Sequence, residues 1–411
     1  MKLWFSHIRV SIPMVMFCLG LTSCIYEDGT EPDTTGNSSD LMVSFTLRLE
    51  RGRDGSEAAR SLSMIASRAS DYDGSQTWGT IIPTDPGNIF DNRLLKEHFH
   101  MLLLDKGTNK VVGKMESDNM NVLIYDPNDE YTIMQFWGVL DTELSITELD
   151  SDDKYKVMIF ANGNACSIGL GEVFSGTGMS FSHIGQPGNI YSSGKSFDAI
   201  PMWGVAEAKL KGIKPGERQN IGEVSMLRSM AKIIVDVDAD ENGDLKEEVK
   251  GVKLTALTVT HCNTNGEMLP KGWNTVTDTK NLSIKNTLHI PVSPAPVTDF
   301  GKSFVVNETD KGVTSFEFYV PEYDNSIVAE FLLKVKYSVD GSEEKEGEIH
   351  ICKYEEGQPI TGYALWPIVR NHIYHYTITS AGPTMDALRF NVSIADMENG
   401  GEFNYEYDFD I

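Results

Sequence analysis

The sequence predicts an all-β protein of the sandwich type. Short segments alternate apolar and polar side chains with period two, as half-buried strands do. Gly, Pro, Asn and Asp punctuate them at intervals suited to hairpin turns. No long segment repeats apolar residues at helical spacing, and no internal repeat shows itself. At 411 residues the chain is long enough for more than one buried core. Its 35 Lys and Arg against 60 Asp and Glu leave a net charge of -25. Such a balance argues against nucleic acid or anionic lipid as the main partner, because both call for a basic face.

The strand readings follow the chain. In Leu41 to Glu50, Leu41, Val43, Phe45, Leu47 and Leu49 point one way and Met42, Ser44, Thr46, Arg48 and Glu50 the other. Arg51 to Gly79 has no periodicity and reads as an exposed loop, where proteases cut. His98–Leu104 and Lys110–Lys114 flank the turn Asp105–Asn109 as a hairpin. Asn121–Tyr125, Tyr131–Leu140 and Tyr155–Asn162 add strands. A glycine-rich stretch from Asn162 to Ser196 reads as loop, with a helical turn over Leu170–Phe174. Ile200–Gly204 and Ala206–Leu210 return to strand, and a domain boundary is expected near Lys211–Gly216. Val224–Val237 reads as one long strand, followed by Lys253–Cys262, Ser315–Pro321, Val328–Val339, Gly347–Lys353 and Tyr374–Thr379. At the far end Phe403, Tyr405, Tyr407, Phe409 and Ile411 alternate with Glu402, Asn404, Glu406, Asp408 and Asp410, mirroring the first strand.

The beginning of the chain reads as an export signal. Lys2 and Arg9 precede the apolar run Val10–Leu19, which is too short to span a bilayer. Leu21-Thr22-Ser23-Cys24 resembles the lipobox of bacterial lipoproteins, whose cysteine is acylated. That resemblance implies a signal peptide over residues 1–24, a lipid on Cys24 and anchorage to a membrane rather than passage through it. Residues 25–40 are acidic and poor in apolar side chains, as expected of a disordered tether. Within it Tyr26-Glu27-Asp28 resembles the acidic tag that sends lipoproteins of the Bacteroides group to the cell surface. Cys166, Cys262 and Cys352 then remain, enough for one disulfide at most.

Further motifs resemble the fimbrillin superfamily, the type V pilus subunits of Bacteroidetes. Met226-Leu227-Arg228-Ser229-Met230-Ala231-Lys232-Ile233 is similar to the strand that opens the family's second domain. Phe318-Tyr319-Val320-Pro321-Glu322 is similar to its strand-ending motif, and Arg370-Asn371-His372-Ile373-Tyr374, after Trp366-Pro367, to its Arg-Asn-His-x-Tyr signature. Ile200-Pro201-Met202 resembles the closing strand of its first domain. The resemblance implies two tandem transthyretin-like β-sandwich domains, here over residues 41–213 and 214–411. It also implies export as an outer-membrane lipoprotein, proteolysis after an arginine behind the first strand, and polymerisation by strand exchange into a surface fimbrium. Ser67-Arg68-Ala69 looks most like the cut site, with Arg60 and Arg53 as alternatives, so residues 41–68 form the removable segment. The chain departs from the pattern in the distance from Glu50 to Arg68 and in Met397, where the family commonly has Trp. Implied partners are other subunits of the pilus, in a homopolymer or with tip and anchor proteins, the outer membrane through the lipid, and a host or bacterial surface receptor.

Physical chemistry supports the scheme on its own terms. Burying the five apolar side chains of the first strand is worth roughly 1.5–3 kcal/mol each, about 7–15 kcal/mol gross. A groove stripped of them exposes apolar surface and sheet edges, and it is driven to accept another alternating strand. Phe403–Ile411 has that pattern and reads as the candidate donor. A head-to-tail contact that does not close makes filaments.

Other motifs have plainer readings. Asp238-x-Asp240-x-Asn242-Gly243 matches half of a calcium loop, but Val249 stands where the closing Glu should be, so an acidic hairpin tip is expected. His98 with His100, and His372 with His375, are too few for a metal site. Arg370 and Asn371 are expected to pair with backbone and a carboxylate at the strand's entry. Gly169-x-Gly171 lacks a third glycine, and no catalytic constellation appears. No cofactor, metal or nucleic acid is expected, nor an enzyme. Two alternatives stay open: an anchor or tip accessory subunit, and a stand-alone adhesin binding glycan or host ligand. For the latter, Trp78, Trp137, Trp203, Trp273 and Trp366 could stack on sugars, though core packing explains most of them.

Overall fold

The computed structural model describes residues 40–50, 94–125, 131–163, 167–182, 200–263, 265–280, 306–325, 330–359, 362, 365–381 and 388–396. Cys24, Arg53, Arg60, Arg68, Trp78, Cys166 and the 403–411 segment lie outside these residues. The described chain is nearly all β, and no helix in it is long and apolar enough to cross a membrane.

The first half runs β1 (Met42–Glu50), β2 (Phe99–Asp105), β3 (Val111–Glu116), β4 (Met120–Tyr125), β5 (Tyr131–Val139) and β6 (Asp141–Thr142). A single turn α1 (Ile146–Leu149) follows, held by a capping box between Ser145 and Glu148. Then come β7 (Tyr155–Ala161), β8 (Ser180–Ser182), β9 (Met202–Glu207), β10 (Arg218–Ser225) and β11 (Leu227–Arg228). They form a four-stranded sheet in the order β10-β1-β5-β4 and a six-stranded sheet in the order β11-β9-β7-β2-β3-β6. Residues of both sheets, Phe45 and Phe136 from one and Phe99 and Ile159 from the other, share one buried cluster. Residue Arg218 lies beyond the boundary expected near Lys211–Gly216, yet β10 pairs with β1 in the first sheet.

The second half runs β12 (Met230–Val237), β13 (Val252–Thr260), β14 (Asn265–Glu267), β15 (Asn307–Glu308), β16 (Thr314–Pro321), β17 (Leu332–Val339) and β18 (Lys345–His350). It ends with β19 (Tyr354–Glu355), β20 (Gln358–Pro359), β21 (His372–Ser380) and β22 (Arg389–Asp396). Here a five-stranded sheet β15-β16-β12-β21-β22 and a three-stranded sheet β13-β17-β18 enclose a second cluster, including Val235, Phe318, Leu333 and Tyr376.

A third cluster lies on the other face of the six-stranded sheet, around Met158, Phe160 and Trp203. Phe174 and Met179 of the glycine-rich stretch cover part of it, and Met268 and Leu269 of the second half cover more. β14 pairs there with β8, so residues 265–280 form a strap from one half across the sheet of the other.

The structure corrects two local expectations. Leu170–Phe174 is not a helical turn but a turn followed by a β-bridge between Val173 and Lys110. The end of the β2–β3 hairpin has free main-chain groups, and they take this segment: Val111 N–H donates to Glu172 O and Phe174 N–H to Asn109 O. Val224–Val237 is not one strand but the end of β10, then β11, then β12. Val224 is buried in the first cluster and Val235 in the second, so the chain must change sheets between them.

Candidate functional site

β1 sits inside its sheet. It pairs antiparallel with β5 over Met42–Glu50 and parallel with β10 over six positions, from Met42↔Arg218 to Arg48↔Ser225. Alternation aims its apolar set inward: Val43, Phe45, Leu47 and Leu49 are wholly buried, and Leu41 is nearly so. Phe45 is the anchor. Its ring stacks 5.3 Å from Phe136 and 6.4 Å from Phe99, and those two stack 4.9 Å apart. The outward side chains Met42, Thr46 and Arg48 are half-buried. Without β1, a groove between β5 and β10 would carry unpaired main chain along both walls.

β10 carries a bulge opposite Phe45. Ser44 faces Asn220 and Thr46 faces Glu223, so Ile221 and Gly222 together oppose one residue of β1. Gly222 has φ +142°, where a side chain would be strained, and its N–H donates to Asn220 Oδ1 at 3.0 Å. The bulge gives the groove one register. Sequence reasoning missed β10: the Arg218–Ser225 stretch has only Ile221 and Val224 as regular apolar signals, and its turn-like neighbours drew the boundary instead.

Between the halves lies a buried polar junction. The Arg370 guanidinium meets Glu322 Oε2 at 2.7 Å, with side chains 1% and 2% exposed. It also donates to Met268 O at 2.8 Å and Glu267 O at 2.9 Å. Asn371 has φ +57°, a region that Asn tolerates better than most residues. Its N–H donates to Met230 O, and its Oδ1 accepts from Arg228 N–H at 3.1 Å. Tyr374 donates its hydroxyl to Pro367 O at 2.8 Å and accepts from Val369 N–H at 2.9 Å; burial pushes this phenol far up. The Arg-Asn-His-x-Tyr motif is thus a structural knot, with backbone and a carboxylate as partners.

The remaining candidates have local partners. In the Asp238–Asp244 loop, Asp240 Oδ1 accepts from Asn242 N–H and Asp244 N–H, both at 2.9 Å. The Lys311 ammonium reaches Asn242 O at 2.6 Å and Asp244 Oδ2 at 3.0 Å, supplying positive charge to the loop. His375 Nε2 lies 2.8 Å from Asp236 Oδ2, and His372 Nδ1 lies 2.8 Å from Arg370 O. Burial lowers the pKa of His100. Among the described residues no group of His, Cys, Asp and Glu is arranged for a metal ion. Cys262 and Cys352 are free and buried, and burial pushes each thiol up to about 12. Trp203 is wholly buried, Trp273 packs edge-on against Phe174, and Trp366 packs against the second cluster. Trp137 is half-buried with the Arg218 guanidinium 5.7 Å from its ring.

No protein-family model matches the chain, and no curated protein matches it. Its fold is similar to that of the tip fimbrial protein Mfa3 from Porphyromonas gingivalis, at 12% identity and TM-score 0.44, over 86% of this chain and 99% of that one. It is also similar to a fimbrial assembly protein from Parabacteroides distasonis, at 14% identity and TM-score 0.41, over 88% and 98%. The fimbrial anchor protein Mfa2 from Porphyromonas gingivalis is similar at 9% identity and TM-score 0.29, over 88% and 98%. These similarities extend over most of each chain at 9% to 14% identity.

Proposed function

We propose that the chain is a structural subunit of a cell-surface pilus, exported as an outer-membrane lipoprotein through Cys24 and polymerised by strand exchange. One observation carries this reading. The first of the described strands, β1, lies at an interior position of a sheet, with neighbours on both sides and its apolar face buried. A cut at Arg68, Arg60 or Arg53 frees it from everything downstream, and the groove it vacates suits an alternating strand such as Phe403–Ile411 of a second copy. Its partners are then other subunits of the same kind, tip and anchor proteins, the outer membrane and a surface receptor. The two sandwiches act as its domains, with residues 41–213 and β10 in the first. Chemistry at a catalytic centre plays no part in this reading.

N-terminal sequencing of protein sheared from the cell surface tests it. The assembled form should begin after one of the three arginines and run on a gel as large oligomers that heat dissociates. An intact, lipidated monomer on cells that carry pili would overturn the reading in favour of an anchor or accessory role. Glycan binding by a chain that never polymerises would favour an adhesin acting alone.

A further inference from the structure

Among the described strands β10 is at one edge of the first sheet, and β1 is its ladder partner there. A chain that loses β1 strips β10 of all six paired positions, and Met226 N–H loses Arg48 O as well. Ile221 and Val224 still hold β10 by burial. Near its start, Lys209 N–H donates to Ile221 O and Gln219 Nε2 to Lys209 O. At its other end the main-chain support comes from the second half of the molecule.

That support is Thr279, which is wholly buried. Its Oγ1 lies 2.5 Å from Ser225 O and 3.0 Å from Val205 O, and the single hydroxyl proton suits the nearer carbonyl. The same oxygen accepts from Val205 N–H at 3.2 Å, and the Thr279 N–H donates to Val205 O at 2.8 Å. Thr279 therefore pairs with β9 while holding the last carbonyl of β10. Close approach at this corner depends on Gly204: a Cβ there would meet Val224 Cγ1, Ser225 O and Met226 Sδ at 2.6 to 2.8 Å.

The strap that carries Thr279 is itself pinned. Ser229 Oγ donates to Met268 O at 2.9 Å, and Met268 N–H donates to Met179 O at 2.7 Å. Arg370 holds the carbonyls of Glu267 and Met268. The buried Lys156 ammonium donates to Asn274 O at 3.1 Å and Val276 O at 3.3 Å. None of these contacts involves β1.

We propose that Thr279 is a positioning residue: the strap uses it to clip the end of β10, so the wall and register of the first sheet's groove persist when β1 is absent. The inference rests on the strand-release reading above and deepens it. A wall already in place spares the incoming strand the cost of ordering it, and keeps the bulge at Ile221–Gly222 to receive one register.

The test uses the full chain, cut within residues 51–93 and freed of its first-strand fragment in sub-denaturing urea. Hydrogen exchange at Val205 and rebinding of a synthetic Asp40–Glu50 peptide are then measured for wild type, Thr279→Val and Thr279→Ser. Thr279→Val keeps the shape and removes the hydroxyl that Ser225 O and Val205 N–H use. After release, its Val205 amide, which donates to the Thr279 oxygen in wild type, should exchange faster than wild type by about tenfold, and peptide association should slow by about tenfold, the equivalent of one buried polar group left unpaired. Thr279→Ser should restore both. Equal exchange and rebinding in wild type and Thr279→Val would overturn the clip. A fragment that never leaves short of global unfolding would instead remove the strand-release reading. The clip is then read in the uncut chain, where Thr279→Val should speed exchange at Val205 and Thr279→Ser should not; equal rates there overturn it.

Discussion

β1 and β12 hold corresponding positions in their sheets. Each has an antiparallel neighbour on one side, β5 or β16, and a parallel one on the other, β10 or β21. Their surroundings differ. Along β1, buried and half-buried residues alternate except at the buried Ser44, and its outward ion pair, Arg48 with Glu223, spans 3.9 Å at 27% and 45% exposure. All eight residues of β12 are buried. Lys232 meets Glu317 at 2.7 Å with 8% and 16% exposure, Asp236 meets His375, and the entry to β12 is tied to Asn371. Main-chain pairing and apolar burial can be reproduced by any strand of the right alternation. Residue-specific buried polar partners cannot. The molecule thus contains one strand held in a way another sequence could copy, and one held in a way only its own sequence satisfies.

Phe45→Ala should have the largest effect. Loss of the stacked ring should cost about 3–5 kcal/mol of the first core's stability, read from urea unfolding of the uncut chain. If another strand replaces β1 in the assembled form, assembled material should not show that loss. Lys232→Met on β12 comes next. It leaves Glu317 largely buried without its ammonium, and should cost about 3 kcal/mol. If β12 keeps its place on assembly, that loss should persist in assembled material.

Lys156→Met separates the strap from both strands. Burial pushes Lys156 down from 10.5 to about 8, so below pH 8 the folded chain carries a desolvated ammonium. Between about pH 8 and pH 10 the unfolded chain keeps a proton that the folded chain has released, so wild-type stability should rise relative to the variant. The difference should amount to a gain on the order of 2 kcal/mol across that window, measured as urea midpoints at matched pH. Equal pH profiles for the two chains would contradict it. Arg48→Met should have the smallest effect, about 0–1 kcal/mol and diminishing with salt, since its partner Glu223 is exposed.

The strands legible in the sequence were those whose two faces differ. Leu41–Glu50 and Lys253–Cys262 alternate because one face meets the core and the other does not, whereas the Asp105–Asn109 hairpin is marked by its turn residues. β12 shows no such alternation: two of its eight residues, Lys232 and Asp236, are polar groups buried in pairs, and period alone does not reveal those pairs. β10 was hidden for another reason. It is bulged at Gly222 and pairs in parallel with a strand far away in the chain, so its local pattern carries little of the information that places it. β22 was missed although Phe390 and Val392 alternate with Arg389 and Asn391, because so short a signal competes with the turn-rich residues around it.

The all-β class, the buried face of β1 and the pairing chemistry of Arg370 follow from residue order, because they depend on local alternation and on a charge that must find a partner when buried. That β1 runs between β5 and β10, that the bulge opposes Phe45 and that Thr279 reaches Ser225 emerge on folding. Those facts depend on long-range register, which no local spacing encodes.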